Sequence, residues 1–262
     1  MTIIVEYPDA VPAPNAPIIT LPTPQEQALI RLQSMRAWFR PSLGYATPGA
    51  WVDNKSSIRA NLRRSIWPNV RFDSNGLPYL PQESGPLTSV WVGQDPAPII
   101  PSSGDFTLVW VAMLQAGSRT TSQAVLGNAM DDNTKATWAG YGAGSETMMF
   151  RSGGFTHITH TAGAALSDLH FVMLSYDSAA GNSSMYLNGS VVGTQTTPTS
   201  PQNTNLAICG SMQASGGSVT NTAFKGRLYD AMVLHSAVHK PTASNVLATV
   251  LAYMFDRYGL AA

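Results

Sequence analysis

The stretch that most constrains this chain runs from Leu169 to Thr194 and reads as a β-meander. From Leu169 to Tyr176, Phe171, Met173 and Ser175 fall on one face and His170, Val172, Leu174 and Tyr176 on the other. Both faces are mostly apolar, which suits a strand inside a sandwich. Asp177 to Asn182 is expected to turn the chain and Ser184 to Leu187 to return it. Asn188-Gly189 then supplies a second turn, because a type I′ hairpin needs positive φ at both central residues. Val191 to Thr194 closes the unit.

Other strands are predicted around this unit. Phe106 to Leu114 is almost uninterruptedly apolar and should be central. Leu77 to Leu80, Leu87 to Gly93, Gln123 to Gly127, Thr147 to Arg151, Phe155 to Thr161, Asn205 to Cys209 and Phe224 to His235 complete the set. Thr23-Pro24-Gln25-Glu26 is a capping box with proline at the first helical position, so a helix is expected from Pro24 to about Trp38. Ala28, Leu29, Leu32 and Phe39 would mark its buried side and Arg31, Arg36 and Arg40 its wet one, with Pro41 as the stop. A second helix is predicted from about Thr242 to Tyr258, where Val246, Leu247, Val250, Leu251, Met254 and Tyr258 recur at three-and-four spacing before Gly259. The fold class is thus all-β with two flanking helices.

Two units follow, a Pro-rich arm over residues 1–24 and a β domain over 25–262. Prolines at 8, 12, 14, 17, 22 and 24 exclude a helix or a central strand from the arm and favour extended structure. Ile3, Ile4, Val5, Tyr7, Ile18, Ile19 and Leu21 are the residues such an arm would bury in anchoring itself to its own domain or to a neighbouring subunit. Arms shared between subunits are typical of symmetric assemblies, so a homo-oligomer such as a trimer is expected.

Only 11% of the residues are charged against 44% hydrophobic, so the surface must be covered by Ser, Thr, Asn, Gln and Gly. The formal net charge is zero and the longest basic run is Arg63-Arg64, which argues against nucleic acid as a partner. No stretch is long and apolar enough for membrane insertion, and the N-terminus lacks the pattern of a signal peptide, so synthesis in the cytoplasm is expected. The lone Cys209, inside Leu206-Ala207-Ile208-Cys209, is read as a buried core residue.

Several pieces in a fixed order carry a family resemblance: Ala37-Trp38-Phe39, Ala50-Trp51-Val52-Asp53-Asn54, Asn75-Gly76-Leu77-Pro78, Asp105-Phe106-Thr107-Leu108, Ser175-Tyr176-Asp177, Met185-Tyr186-Leu187-Asn188-Gly189 and Phe224-Lys225-Gly226-Arg227-Leu228-Tyr229-Asp230. Over about residues 30 to 260 the chain resembles the concanavalin A-like, laminin-G-like jelly-roll domains common in bacterial and bacteriophage surface proteins. The resemblance implies two packed antiparallel sheets and no particular activity. It also implies a glycine, Gly226, where a strand bends at a sheet edge.

Chemistry is sparse. The glucanases of this superfold place their carboxylates as Glu-x-Asp-x-x-Glu, whereas the glutamates here, Glu6, Glu26, Glu83 and Glu146, have no acidic partner at that spacing. No catalytic residues are assigned and the chain is read as a non-enzyme. His157 and His160, three apart in a strand, point to opposite faces and cannot share a metal, and His235 and His239 suit a solvated strand end. Asp131, Asp132 and Asn133 form a polar loop next to Trp138 and Tyr141, the candidate site for a sugar stacked on the aromatic rings. Asp131 and Asp132 are also the weak candidates for calcium, which such relatives bind through loop oxygens; no other cofactor is expected. The reading is a bacteriophage virion protein, a capsid decoration, head fibre or tail component located on the virion, anchored to capsid or fibre subunits by its arm. The alternative is a carbohydrate-binding adhesin or receptor-binding module for cell-surface glycans.

Overall fold

Phe106 to Leu114 is apolar on both faces because both are covered. In the computed structural model, Phe106, Leu108, Trp110, Ala112 and Leu114 lie in a core between two sheets, and Val109 and Val111 in a second core beneath the helices. The structure describes residues 22–41, 45–46, 50–52, 59–62, 70–81, 90–92, 99–101, 103–115, 122–127, 137–143, 147–152, 155–196, 206–209 and 224–260. The seven anchoring candidates in the arm lie outside these, as do Asp131, Asp132 and Asn133.

In chain order the described elements are α1 (Pro24–Arg31), β1 (Met35–Phe39), β2 (Tyr45–Ala46), β3 (Ala50–Val52), β4 (Arg59–Leu62), β5 (Arg71–Phe72), β6 (Pro78–Pro81), β7 (Val90–Val92), β8 (Phe106–Leu114) and β9 (Gln123–Gly127). They continue with β10 (Trp138–Tyr141), β11 (Thr147–Ser152), β12 (Phe155–Thr161), β13 (His170–Asp177), β14 (Asn182–Leu187), β15 (Ser190–Thr196), β16 (Leu206–Ile208), β17 (Gly226–Leu234) and α2 (Ser244–Tyr258). One sheet runs β15-β14-β13-β8-β17-β6-β5, with β1 also joined to β17; the other runs β12-β11-β10-β9-β16-β7-β4-β3-β2. Every described pairing is antiparallel. The result is a two-sheet sandwich with α1 and α2 forming a third layer over the first sheet.

The meander forms as its sequence requires. β13 pairs with β14 and β14 with β15, and between the last two Asn188 and Gly189 take φ of 48° and 88°. Phe171 and Met173 face the helices, while Val172, Leu174 and Tyr176 face the second sheet. α2 ends at the expected Gly259, and Cys209 is buried.

The first helix departs from expectation. Thr23 and Glu26 close the predicted capping box, but α1 stops at Arg31 because Leu32 is extended (φ −60°, ψ 120°). After one turn the chain becomes β1, paired with β17 from Met35↔Leu234 to Phe39↔Ala231. Strand geometry sends Ala37 and Phe39 into the inter-sheet core and Trp38 toward the helices, which one helical face cannot do. Ala28 is exposed, and Arg40, expected on the wet side, is buried in an ion pair with Glu26. Gly226 is not at a sheet edge either. It pairs with Leu114 on the central β8, and a Cβ there would sit 2.1 Å from the Met113 carbonyl oxygen, so its role is to let two strands approach.

Under α2 lies a buried polar cluster. Asp230, fully buried, accepts from Trp38 Nε1 at 2.7 Å, Tyr253 Oη at 2.6 Å and Tyr258 Oη at 3.0 Å. The neighbouring Arg40–Glu26 pair, with Arg257 Nη1 3.6 Å from Glu26 Oε1, joins α1, β1 and α2. These groups fasten the helical layer to the sheet.

Candidate functional site

Trp138 and Tyr141 open and close β10, and neither offers a ring to solvent: they are 5% and 0% exposed. Trp138 packs with Ala124 and Met149. Tyr141 lies between the sheets, where its hydroxyl accepts from Trp110 Nε1 at 2.9 Å and donates to His170 Nε2 at 2.7 Å. His170 Nδ1 donates to the Asp168 carbonyl at 2.8 Å, which fixes the tautomer. Burial pushes the His170 pKa down to about 4, outweighing the Asp168 carbonyl, so the ring is neutral. The aromatic pair expected to stack a sugar is therefore buried, a correction with two causes: Tyr141 points between the sheets, whereas Trp138, on the opposite face of the strand, is covered by Ala124 and Met149.

The polar surface lies elsewhere, on the face of the first sheet that carries the helices. Directly opposed residues of antiparallel strands share a face, so the register of β13, β14 and β15 can be read as rungs. Met173, Tyr186 and Val191 form an apolar rung. Ser175, Ser184 and Thr194 form the next rung, and Asp177, Asn182 and Thr196 the one beyond. At this end of the strands the covering switches from α2 to the short segment after β17, which holds His235 to Lys240. That segment bonds β13 through Ser175 and β14 through Asn182, and beyond it Thr194, Gln195 and Thr196 of β15 are exposed. A groove of about 400 Å³ results, lined by Asn182, Ser183, Ser184, Thr194, Gln195, Thr196 and His239.

His239 forms the inner wall. Its Nε2 donates to Asn182 Oδ1 at 2.8 Å, and its Nδ1 accepts from Ser175 Oγ at 2.7 Å. Burial pulls its pKa down against the opposing pull of Asp177 and Asp105, so the imidazole is neutral at pH 7. The bond from His239 orients the Asn182 amide and leaves its nitrogen, with two N–H donors, for the groove. Ser175, His239 and Asn182 have the composition of a hydrolytic relay, and Ser175, hydrogen-bonded to His239, is 0% exposed.

Next to His239, Lys240 Nζ lies 2.8 Å from Asp105 Oδ2 and 3.0 Å from Asp177 Oδ1. Asp105 Oδ1 also accepts from the amide and hydroxyl of Ser178. Burial would raise the Asp177 pKa, but the amides of Ala180 and Ala179 and the Lys240 ammonium hold it below the usual carboxylate range. His235, the other histidine near this corner, donates from Nε2 to the Ile99 carbonyl at 2.9 Å. Among the described residues no group of three or more His, Cys, Asp or Glu is gathered to hold a metal ion, and no helix is long and apolar enough to cross a membrane.

Of the groove residues, Asn182, Ser183, Ser184 and Thr194 belong to the meander, and Gln195, Thr196 and His239 lie beyond it. The signal was present: on one face of β13 the series Phe171, Met173 gives way to Ser175 and Asp177, and β14 and β15 carry Asn182, Ser184, Thr194 and Thr196 in step. Register and the position of His239 were needed to join them.

Known structures share this architecture. Trypanosoma rangeli sialidase in complex with sialic acid superposes with a TM-score of 0.57 at 15% identity, over 87% of this chain and 34% of that one. The structure described as HCR/D-Sa-GBL1/C gives 0.57 at 14% identity, over 84% and 53%, and the binding domain of botulinum neurotoxin serotype D/C gives 0.51 at 13% identity, over 84% and 53%. The chain spans about half or less of the length of these structures, and at such identities the likeness is one of fold. A search of curated protein sequences finds no match to this chain. Residues 94–242, more than half of the 262, do match a family described as the concanavalin A-like lectin/glucanases superfamily, and the chain belongs to it.

Proposed function

We propose that the chain is a non-enzymatic, lectin-like recognition module that binds a surface glycan in the groove between β14, β15 and His239. The observation that carries this reading is the pair of polar rungs. They set hydroxyl and amide groups about 4.8 Å apart across the strands and about 7 Å apart along them, with little apolar surface between. That is the scale on which the hydroxyls of one sugar ring present themselves, and the neighbouring Val191, 56% exposed, offers the apolar contact a ring face needs. The toxin binding domain among the structural neighbours supports a recognition role. The non-enzymatic part is supported by the buried Ser175 and by Asp105 and Asp177, which are joined through Lys240 instead of flanking a substrate.

Thr194 and Thr196 are exposed on an edge strand, so Thr194→Val with Thr196→Val removes two hydroxyls while keeping shape and β-branching. On a glycan array the parent should bind at least one sugar, and the double variant should bind it about thirtyfold less well, at about 1 kcal/mol per lost hydrogen bond, with an unchanged melting temperature. An array without signal, or equal binding by the variant, would remove this site.

The same reading has the module carried on a bacteriophage virion, as a decoration, fibre or tail component, by its N-terminal arm and as a homo-oligomer. Its support is the Pro-rich sequence of residues 1–24 with its scattered apolar side chains and the low charge of the chain. A chain starting at Thr23 should fold and keep glycan binding yet fail to join its particle. Normal incorporation would sink the anchoring role.

A further inference from the structure

Resting on the reading of the groove as a glycan site, we infer that it takes neutral glycans and discriminates against acidic ones, and that Asp105, Asp177 and Lys240 set this preference. Among the described residues the lining, Asn182, Ser183, Ser184, Thr194, Gln195, Thr196 and His239, includes no charged side chain at neutral pH. A carboxylate or sulfate on a sugar is normally met by Arg or Lys, often through paired charge-assisted bonds, and among the described lining there is none.

Among the described residues, the charge next to the groove has the wrong sign for an anion. Asp177 stands in the same rung as Asn182 and Thr196, which places Asn182 one strand spacing, about 4.8 Å, from it. Asp105 and Asp177 share the one ammonium of Lys240, leaving the cluster with an excess of one negative charge. The Lys240 ammonium is also bound on two sides by these carboxylates, at 2.8 and 3.0 Å. His239, between cluster and groove, adds no compensating charge because burial keeps it neutral. The Asp105 and Lys240 side chains are 27% and 28% exposed, so the field of the cluster passes through partly wet surface into the groove. A Debye length of about 8 Å at physiological salt covers that distance. An acidic sugar entering here meets like charge and loses hydration without a cationic partner, which is how a site rejects a ligand it could otherwise accommodate.

The test uses the full chain against oligosaccharide pairs, each a neutral oligosaccharide beside its sialylated and its sulfated form; lactose and sialyllactose are one such pair. The neutral member should bind roughly tenfold more tightly, and the gap should narrow in high salt. Asp105→Asn keeps an acceptor for Ser178 and leaves Lys240 with Asp177, so it should preserve the melting temperature and neutral-sugar binding while reducing the gap. Acidic members that bind as well as neutral ones, or a gap that Asp105→Asn does not move, would overturn the inference and leave the groove as a glycan site. If no member of any pair binds, the glycan reading falls and the inference with it.

Discussion

Asp230→Ala should destabilise the protein by about 3–5 kcal/mol, the range for removing one partner from a buried charged network. The carboxylate is 0% exposed and accepts from Trp38 Nε1, Tyr253 Oη and Tyr258 Oη, as well as from the Ala231 amide at 3.1 Å. Burial raises its pKa, while Arg40 and the tyrosine and indole donors work the other way. Alanine would remove the acceptor that Trp38, Tyr253 and Tyr258 share and would take from Arg40 a carboxylate that compensates its charge. Because these donors come from β1 and α2, the loss falls on the attachment of the helical layer to the first sheet. Asp230→Asn separates shape from acceptor capacity. Its oxygen can still receive Trp38 and Ala231 and its amide can donate to a rotated tyrosine hydroxyl, so a smaller loss of about 1–2 kcal/mol is expected. Urea unfolding of both variants decides the matter: an alanine variant within 1 kcal/mol of the parent would show that the network does not hold the layers together.

How much of this was legible in the sequence depended on how local each determinant is. Asn188-Gly189 specifies its turn within two residues, and the structure has the positive φ angles it requires. The apolar runs of β8 and β13 announced burial on both faces, and the sandwich covers both. The end of α1 was harder. Leu32-Gln33-Ser34 contains no Pro or Gly, and what makes Met35–Phe39 a strand is pairing with β17 nearly two hundred residues later. Arg40 looked like a surface residue because its partner Glu26 and its neighbour Asp230 lie on other elements. Trp138 and Tyr141 follow a polar loop in the sequence, but the four-residue strand they bound sends them to opposite faces and both faces are covered, by Ala124 and Met149 over Trp138 and by the inter-sheet core around Tyr141. The groove depends on a three-strand register and on a histidine 57 positions from the asparagine it orients, so no local motif could have marked it.

The second large effect expected is a loss of stability with falling pH that is traceable to His170. In the folded protein its pKa is about 4 against 6.5 for the unperturbed side chain, because the ring is fully buried beside Tyr141 and Trp110. Between those two pH values the unfolded chain binds a proton that the folded chain refuses, so acid favours unfolding. The contribution of the neutral ring is fully present above about pH 6.5 and is lost progressively toward pH 4, amounting to about 3 kcal/mol over the window. His239, also lowered by burial, acts in the same direction. Asp177, held below the usual carboxylate range, contributes only further down, as pH falls below that range. His170→Gln can still accept the Tyr141 hydroxyl but has no proton to gain, so this variant should be less stable at pH 7 and should show a flatter dependence between pH 6.5 and 4.5. Urea unfolding at half-unit intervals measures both slopes. Parallel curves for parent and variant would mean that the buried imidazole is not the acid-sensitive group, and that the polar chain through Tyr141 and Trp110 tolerates a charge the geometry says it cannot.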